Sequence, residues 1–316
     1  MPLLLPAYLS LHRYLCKYWL ILGIISSVII DFHTHIFPPW IREKRDEYIK
    51  NDPCFSLLYS HPKAKLATAE ELIASMDETN IDVSVILNIG WASQELCRKT
   101  NDYILDSMSR YPDRLVGFCN IQPKDKDTAI IEVERCARAG ARGIGEMRPD
   151  IQGFDITDKM AMQPLIDVAM IHNLIFLTHS SEPVGHQYAG KGEVTPSTLY
   201  PFIVNFPDLK VVCAHWGGGL PLYALMPEVA RDLTNVSFDT AATLFLYQAG
   251  IFKQVSDIIG SDKILFGTDY PLLSQGRIIA QIQSLELTKE DKSKILGGNA
   301  QKLLSKIKGS EIAPQL

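Results

Sequence analysis

The 316-residue chain has no C-x-x-C pair among its six cysteines, no basic tract, no low-complexity segment and no internal repeat. Each absence excludes something. Scattered cysteines, with Cys119 and Cys213 inside apolar runs, argue against a disulfide framework or a thiolate metal site. They fit buried reduced thiols in a cytoplasmic protein. Lys and Arg number 31 against 36 Asp and Glu, for a net charge of −5. Without a basic stretch, nucleic acid is not an expected partner. An apolar run from Tyr18 to Ile30 follows Arg13 and Lys17, but it falls short of the roughly 20 residues that a bilayer-spanning helix needs. A cleaved signal peptide there would fray the strand the run leads into. Residues 1–27 are therefore expected to be an apolar N-terminal extension, non-native or poorly ordered, without a membrane anchor. Residues 28–316 are expected to form one catalytic domain.

What the chain does have is apolar mass, 47% of its residues, arranged in a rhythm. Apolar runs at Val28–Ile30, Val83–Ile89, Leu115–Ile121, Ala141–Met147, Leu174–Thr178, Lys210–Ala214, Val236–Asp239 and Lys263–Gly267 read as strands. They are continuous and do not alternate, as strands buried on both faces do. Helical segments separate them. One spans Thr68 to Glu78, with Thr68 and Glu71 placed as a capping box. Others are expected over Leu220–Leu233, despite Pro221 and Pro227, and over Lys289–Lys306. Phe37 to Lys65 looks irregular, either a lid or substrate wall or a surface excursion. Eight strand–helix repeats predict a (β/α)₈ TIM barrel. An open doubly wound sheet would carry a Gly-rich loop after its first strand, where this chain has histidines.

Those histidines begin the functional pattern. His33 and His35 stand at i and i+2 in Ile30-Asp31-Phe32-His33-Thr34-His35. On an extended chain their side chains share one side, where they can share one metal ion at roughly 2.0–2.1 Å. Catalytic groups of such barrels lie at the C-terminal ends of strands. Here those ends carry Glu146 after strand four, His179 after strand five, His215 after strand six and Asp269 after strand eight. All are residue types that a catalytic Zn²⁺ or Mn²⁺ accepts. Arg148 could clamp a substrate carboxylate or neutralise Glu146. Trp216 could stack on a substrate or pack the barrel rim. Asp239 could orient His215 or cap a turn. Gly217–Gly219 could face an anion or make a tight turn. His61, His172 and His186 have no comparable placement.

The ordered set of His33-x-His35, His179, His215-x-Gly217-Gly218 and Gly267-x-Asp269-x-Pro271 resembles the amidohydrolase superfamily. The nearest branch is the one that includes the aminocarboxymuconate-semialdehyde decarboxylase relatives. The resemblance implies His33, His35, His179 and Asp269 as ligands of one or two divalent ions, Zn²⁺ first and Mn²⁺ second. It implies His215 as the residue that activates water or polarises substrate, and Asp269 as its proton acceptor. Glu146 departs from the decarboxylase pattern. Gly143-Ile144-Gly145-Glu146 is similar to the TatD-like deoxyribonucleases, where a glutamate helps hold a second metal; otherwise Glu146 would bond to a ligand histidine. The leading expectation is hydrolysis of an amide, lactone or ester of a small carboxylate-bearing molecule through metal-activated water. The alternatives are non-oxidative decarboxylation of an aromatic or unsaturated acid, and a metal-binding scaffold without catalysis. A homodimer is expected by analogy with the group.

Overall fold

Eight short parallel strands carry the architecture: β1 Ile30–His35, β2 Val83–Leu87, β3 Leu115–Cys119, β4 Gly143–Met147, β5 Ile175–Thr178, β6 Lys210–Cys213, β7 Val236–Asp239 and β8 Ile264–Leu265. The computed structural model describes residues 28–305, so the expected extension over residues 1–27 lies outside them. The strands pair in sequence order from β1 to β8. The chain leaving β8 then closes the ring. Phe32 N–H donates to Phe266 O at 2.7 Å, Asp269 N–H to His33 O at 2.9 Å and His35 N–H to Tyr270 O at 2.7 Å. Closure excludes the open sheet and makes this the (β/α)₈ barrel that the alternation predicts.

Both faces of the ring are buried, hence the unbroken apolar runs. Phe32, Val85, Leu87, Phe118, Ile175, Leu177, Val212 and Leu265 fill the interior as one cluster. Val133, Ile144, Phe176, Phe202 and Phe238 belong to a second cluster, between strands and outer helices. Each such side chain contributes roughly 1.5–3 kcal/mol by leaving water. The β1–β2 register shifts between Asp31 and Thr34. There β1 changes from packing Phe32 against Phe118 to presenting histidines at the mouth. The helix expected from Thr68 runs from Ala69 to Thr79, and its capping box is formed. Among the described residues, no helix is long and apolar enough to cross a membrane.

Three segments differ from expectation. Residues 37–65 are not irregular but hold three short helices, Pro39–Glu43, Arg45–Asn51 and Pro53–Tyr59. Proline starts two of them, where its missing N–H does no harm, and the Asp52 carboxylate caps the third by accepting from Phe55 N–H at 2.9 Å. Leu220–Leu233 is not one helix. A 3₁₀ segment, His215–Leu225, begins with left-handed Trp216, Gly217, Gly218 and Gly219, and a separate helix covers Pro227–Asp232. Pro227 forces Met226 into an extended conformation, with φ −86° and ψ 121°. At Gly218, φ is +58° and a Cβ would fall 2.2 Å from Ser181 O, so the glycines serve a tight turn. The last helix is interrupted by a π segment over Lys294–Gly298.

Candidate metal centre

The mouth of the barrel gathers all six acid and histidine positions expected there. His33 Nε2 and His35 Nε2 lie 3.1 Å apart. Asp269 Oδ1 is 3.3 Å from His35 Nε2 and 3.8 Å from His33 Nε2. Glu146 Oε2 is 3.8 Å from His33 Nε2 and 3.7 Å from His35 Nε2. His215 Nε2 lies 3.5 Å from the other Glu146 oxygen. Two triplets have ligand atoms mutually within 4.8 Å: His33, His35 and Asp269, and His33, Glu146 and His215. His179 sits slightly apart. Its Nδ1 meets Glu146 Oε1 at 2.9 Å and its Nε2 meets Ser181 Oγ at 3.0 Å.

Hydrogen bonding indicates what belongs between these atoms. His33 Nδ1 is 2.8 Å from Asp239 Oδ2. Donating there, a neutral His33 turns its Nε2 lone pair toward His35 and the carboxylates. Acceptors then face acceptors, an arrangement that calls for a cation. The proton affinities say the same. Burial lowers that of His33, yet Asp239, Glu146 and Asp269 raise its pKa to about 10. Burial raises Glu146, but hydrogen bonds from His179 and His215 and the charges of His179 and His33 hold it well below the usual carboxylate range. Burial likewise raises Asp269, which the His35 hydrogen bond and the charges of His33, His215 and His35 bring to about 2. The donor set of imidazole nitrogens and carboxylate oxygens fits a divalent ion such as zinc or manganese.

Further buried groups aim this cluster. Asp239 orients His33 through its side chain. It reaches His215 only at the backbone, accepting from His215 N–H and Ala241 N–H at 3.0 Å each. Asp31, which sequence reasoning missed, accepts from His33 N–H, Thr268 N–H, Thr268 Oγ1 and Gln275 Nε2. It thereby ties β1 to the loop that carries Asp269. The one signal for it was an acid inside an otherwise apolar strand. Glu146 is held through its backbone: its N–H donates to Asn88 O at 3.0 Å, and its carbonyl accepts from Asn120 Nδ2 at 2.8 Å.

A cavity of about 480 Å³ opens above the cluster. Its walls include Leu58, Tyr59, Ile89, Tyr188, Phe245, Leu246 and Leu272 with His35, Glu146, Arg148, His179, His215 and Asp269. His61 and His186, given no placement from sequence, also line it. They arrive on loops whose paths depend on the tertiary fold. Trp216 does not line it. The indole is fully buried, its N–H donates to Thr243 Oγ1 at 2.8 Å and its ring meets Phe252 edge-on at 5.0 Å. The left-handed turn at Trp216 seats it in the rim, so substrate stacking is corrected to rim packing.

The profile of the family described as Amidohydrolase matches residues 30–306. Gamma-resorcylate decarboxylase from Polaromonas sp. is 23% identical over 67% of this chain and 76% of its own length. 2-Amino-3-carboxymuconate-6-semialdehyde decarboxylase from Dictyostelium discoideum is 22% identical over 88% of this chain and 92% of its own. The crystal structure of 5-carboxyvanillate decarboxylase from Novosphingobium aromaticivorans, complexed with manganese, superposes with a TM-score of 0.73 at 18% identity, covering 90% of this chain and 97% of that one.

Proposed function

The chain belongs to the amidohydrolase family, and from that premise we propose that it is a metal-dependent carboxy-lyase for a small aromatic or unsaturated acid. Sequence reading ranked hydrolysis first; the comparisons favour the decarboxylase alternative. The observation that carries the proposal is the alignment with the Dictyostelium discoideum decarboxylase, which runs through 88% of this chain and 92% of that one. The cavity agrees with it. Apolar walls from Leu58, Ile89, Phe245 and Leu246 suit a flat hydrocarbon body, and the polar cluster at the floor suits its acid end.

His33, His35 and Asp269 would hold the ion, with His179 and Glu146 beside them. Manganese is bound by the solved relative, and zinc suits the same donors. A divalent ion there supplies Lewis-acid stabilisation of negative charge on the substrate. In the reaction, the bond between the carboxylate and its carbon breaks and CO₂ leaves. The electron pair stays on that carbon, which then takes a proton. Asp269 is the carrier we assign for that proton: ionised at rest, it would take one up from solvent entering the cavity and pass it to the carbon. Its side chain is 16% exposed against 6% for Glu146, the more open of the two acids to the cavity. His215 directs its Nε2 toward the same space, since its Nδ1 faces Ala241 O at 3.2 Å.

Hydrolysis of a lactone or ester is the second reading. It is favoured by Glu146, which completes a second triplet with His33 and His215 able to serve a second ion. The test is ion content per chain together with a product assay on manganese- or zinc-loaded protein. One ion per chain, unchanged in Glu146→Gln, and CO₂ release from an aromatic or unsaturated acid are expected. Lactone or ester cleavage without CO₂ release overturns the lyase reading.

A further inference from the structure

The loops that follow β5 and β7 meet behind the cavity wall, at side chains the proposed chemistry leaves unused. Tyr188 lines the cavity from the first loop, and Phe245 and Leu246 line it from the second. Glu182 and Tyr247 stand behind that lining. The Tyr188 O–H donates to Glu182 Oε2 at 2.9 Å. The other carboxylate oxygen, Oε1, is buried without a partner, and so is the Tyr247 hydroxyl. The two groups are neighbours. Burial first, and then the Glu182 charge, push the Tyr247 phenol well above its ordinary pKa, and the same two causes raise the Tyr188 phenol. Both phenols therefore keep their protons and are donors. A buried acceptor and a buried donor cost free energy for as long as they stay unpaired.

The backbone beneath Glu182 is fixed. Ser181 N–H donates to Val194 O at 2.8 Å, and Gly192 N–H donates to Ser181 Oγ at 2.9 Å. A Cβ at Gly218 would fall 3.3 Å from Glu182 N, so the left-handed turn after β6 presses on the same stretch. Tyr247 follows a helix of only four residues, Thr243–Leu246, too short to hold its own shape. The start of that helix is tied down, since Trp216 Nε1 donates to Thr243 Oγ1. Its end depends on Tyr247, whose hydroxyl lies over the glycine turn, 3.6 Å from where a Cβ at Gly219 would be. The bond that Tyr247 makes therefore sets where Phe245 and Leu246 stand.

We propose that Glu182 determines the specificity of the cavity, its two oxygens taking the Tyr188 and Tyr247 phenols and so fixing the spacing of the walls that grip the substrate's apolar body. It is a positioning residue and touches no substrate itself. Bonds from O–H to an ionised carboxylate are short and directed, so they hold a spacing more rigidly than apolar contact does. The proposal rests on the carboxy-lyase reading only for the class of molecule bound, an acid with a flat apolar body.

The experiment is calorimetric titration of manganese-loaded protein with benzoate and with naphthalene-2-carboxylate, a narrow body against a wide one. Wild type, Glu182→Ala, Glu182→Gln, Tyr247→Phe and the Glu182→Ala/Tyr247→Phe double variant are compared, with ion content and a melting curve for each. The quantity read is the ratio of the two dissociation constants. Glu182→Ala is expected to move it about tenfold in favour of the wider acid, with ion content unchanged. Tyr247→Phe should move it about threefold in the same direction. Glu182→Gln should stay within about twofold of wild type, because an amide can accept from one phenol and donate to the other. The double variant should match Glu182→Ala, in which the Tyr247 hydroxyl has already lost its acceptor. A ratio that does not move in Glu182→Ala overturns the proposal. So does a double variant whose shift is the product of the single shifts, since Tyr247 would then act apart from Glu182. So does a wild type that binds neither acid. If Glu182→Ala does not fold, Tyr247→Phe decides, and a ratio equal to that of wild type overturns the proposal. The two readings fail separately. CO₂ release from an acid with the ratio unmoved sinks the role of Glu182 and leaves the lyase intact. A ratio that depends on Glu182 without CO₂ release from any acid sinks the lyase and leaves the role of Glu182.

Discussion

The floor of the cavity and the wall above it are built by opposite means. At the floor, direction matters: Asp239 aims His33, Glu146 and Ser181 hold His179, and Asn120 grips the Glu146 carbonyl. Along residues 37–65, shape matters. Phe55 lies stacked on Trp91 with centroids 5.6 Å apart, and Phe37 meets Tyr59 edge-on at 5.1 Å. Among the described residues the Trp91 N–H has no partner. Directed bonds fail when an atom changes type, whereas apolar packing fails when volume changes. On the proposed function, the floor would govern turnover and the wall which molecule fits. That division can be broken experimentally.

The largest effect is expected at the floor from Asp269→Asn. Asp269 has φ +63°, a left-handed conformation that asparagine tolerates well, so the fold should hold while the proposed proton carrier is gone. Turnover should fall on the order of 10²–10⁴-fold with the melting midpoint nearly unchanged. Initial rates and a melting curve check this; activity within a few fold of wild type removes Asp269 from that role. Next is Asp239→Asn. Its Oδ1 can still accept from His215 N–H and Ala241 N–H, but an amide N–H₂ facing His33 Nδ1 moves the ring proton to Nε2 and spoils the ligand. Metal affinity should drop about 10–100-fold, read as ion content after dialysis against graded chelator. Full retention of the ion would mean that orientation at the floor does not depend on Asp239.

The same division explains what could be foreseen. Strands buried on both faces show as apolar runs, and a polar residue just after such a run marks the mouth of a closed barrel. His33, His35, Glu146, His179, His215 and Asp269 were legible for that reason. The partners that aim them were not. Asp31 is bound by Thr268 and Gln275, 237 and 244 residues away, and no local pattern joins such distant positions. His61 and His186 reach the cavity along loops whose course is set by packing. The helices of residues 37–65 are five to seven residues long, too short for a helical period to show. The Trp216 ring turned away from substrate because of a positive φ that its residue type does not favour. Sequence alone puts hydrolysis before decarboxylation and the comparisons favour the reverse, because the floor residues report a metal site and not which bond breaks.

A wall variant sharpens the comparison. Phe55→Ala removes a fully buried ring from between Phe37, Tyr59 and Trp91, at a stability loss of about 3 kcal/mol or more. It leaves every floor contact in place. KM should rise several-fold to about tenfold while kcat changes by less than about twofold, on the expectation that binding is lost equally from ground and transition states. Phe55→Leu should fall between the variant and wild type. A kcat loss as deep as that of Asp269→Asn would erase the division between floor and wall.

The smallest effect asks how far outward the directed bonding extends. Asn120 N–H donates to Asn101 Oδ1, and Asn101 Nδ2 donates to both Asn120 O and Glu132 Oε1. Glu132 in turn accepts from Arg135. The line therefore runs from the Glu146 carbonyl to the outer helix Lys126–Arg138, whereas the directed bonds of residues 37–65, from Arg45 to Tyr59 O, His61 O and Ala64 O and from Ala92 N–H to Asp52, stay local to that wall. Burial raises the Glu132 pKa, but Arg135 and Asn101 outweigh it and hold the carboxyl below its ordinary 4.5. A depressed carboxyl stabilises the fold above its unfolded pKa and loses that contribution as pH falls through the folded value. Wild type should therefore lose stability from about pH 5 downward, where Glu132→Gln, being uncharged, loses less. At pH 7 the variant should be less stable by about 1 kcal/mol, on the order of 2 °C in melting midpoint. As pH falls through the depressed Glu132 value the gap should close. If the gap closes and kcat also drops at pH 7, the floor is braced from the outer helix. If the gap closes and kcat does not move, the bracing stops at Asn120, and the directed region is confined to the strand ends.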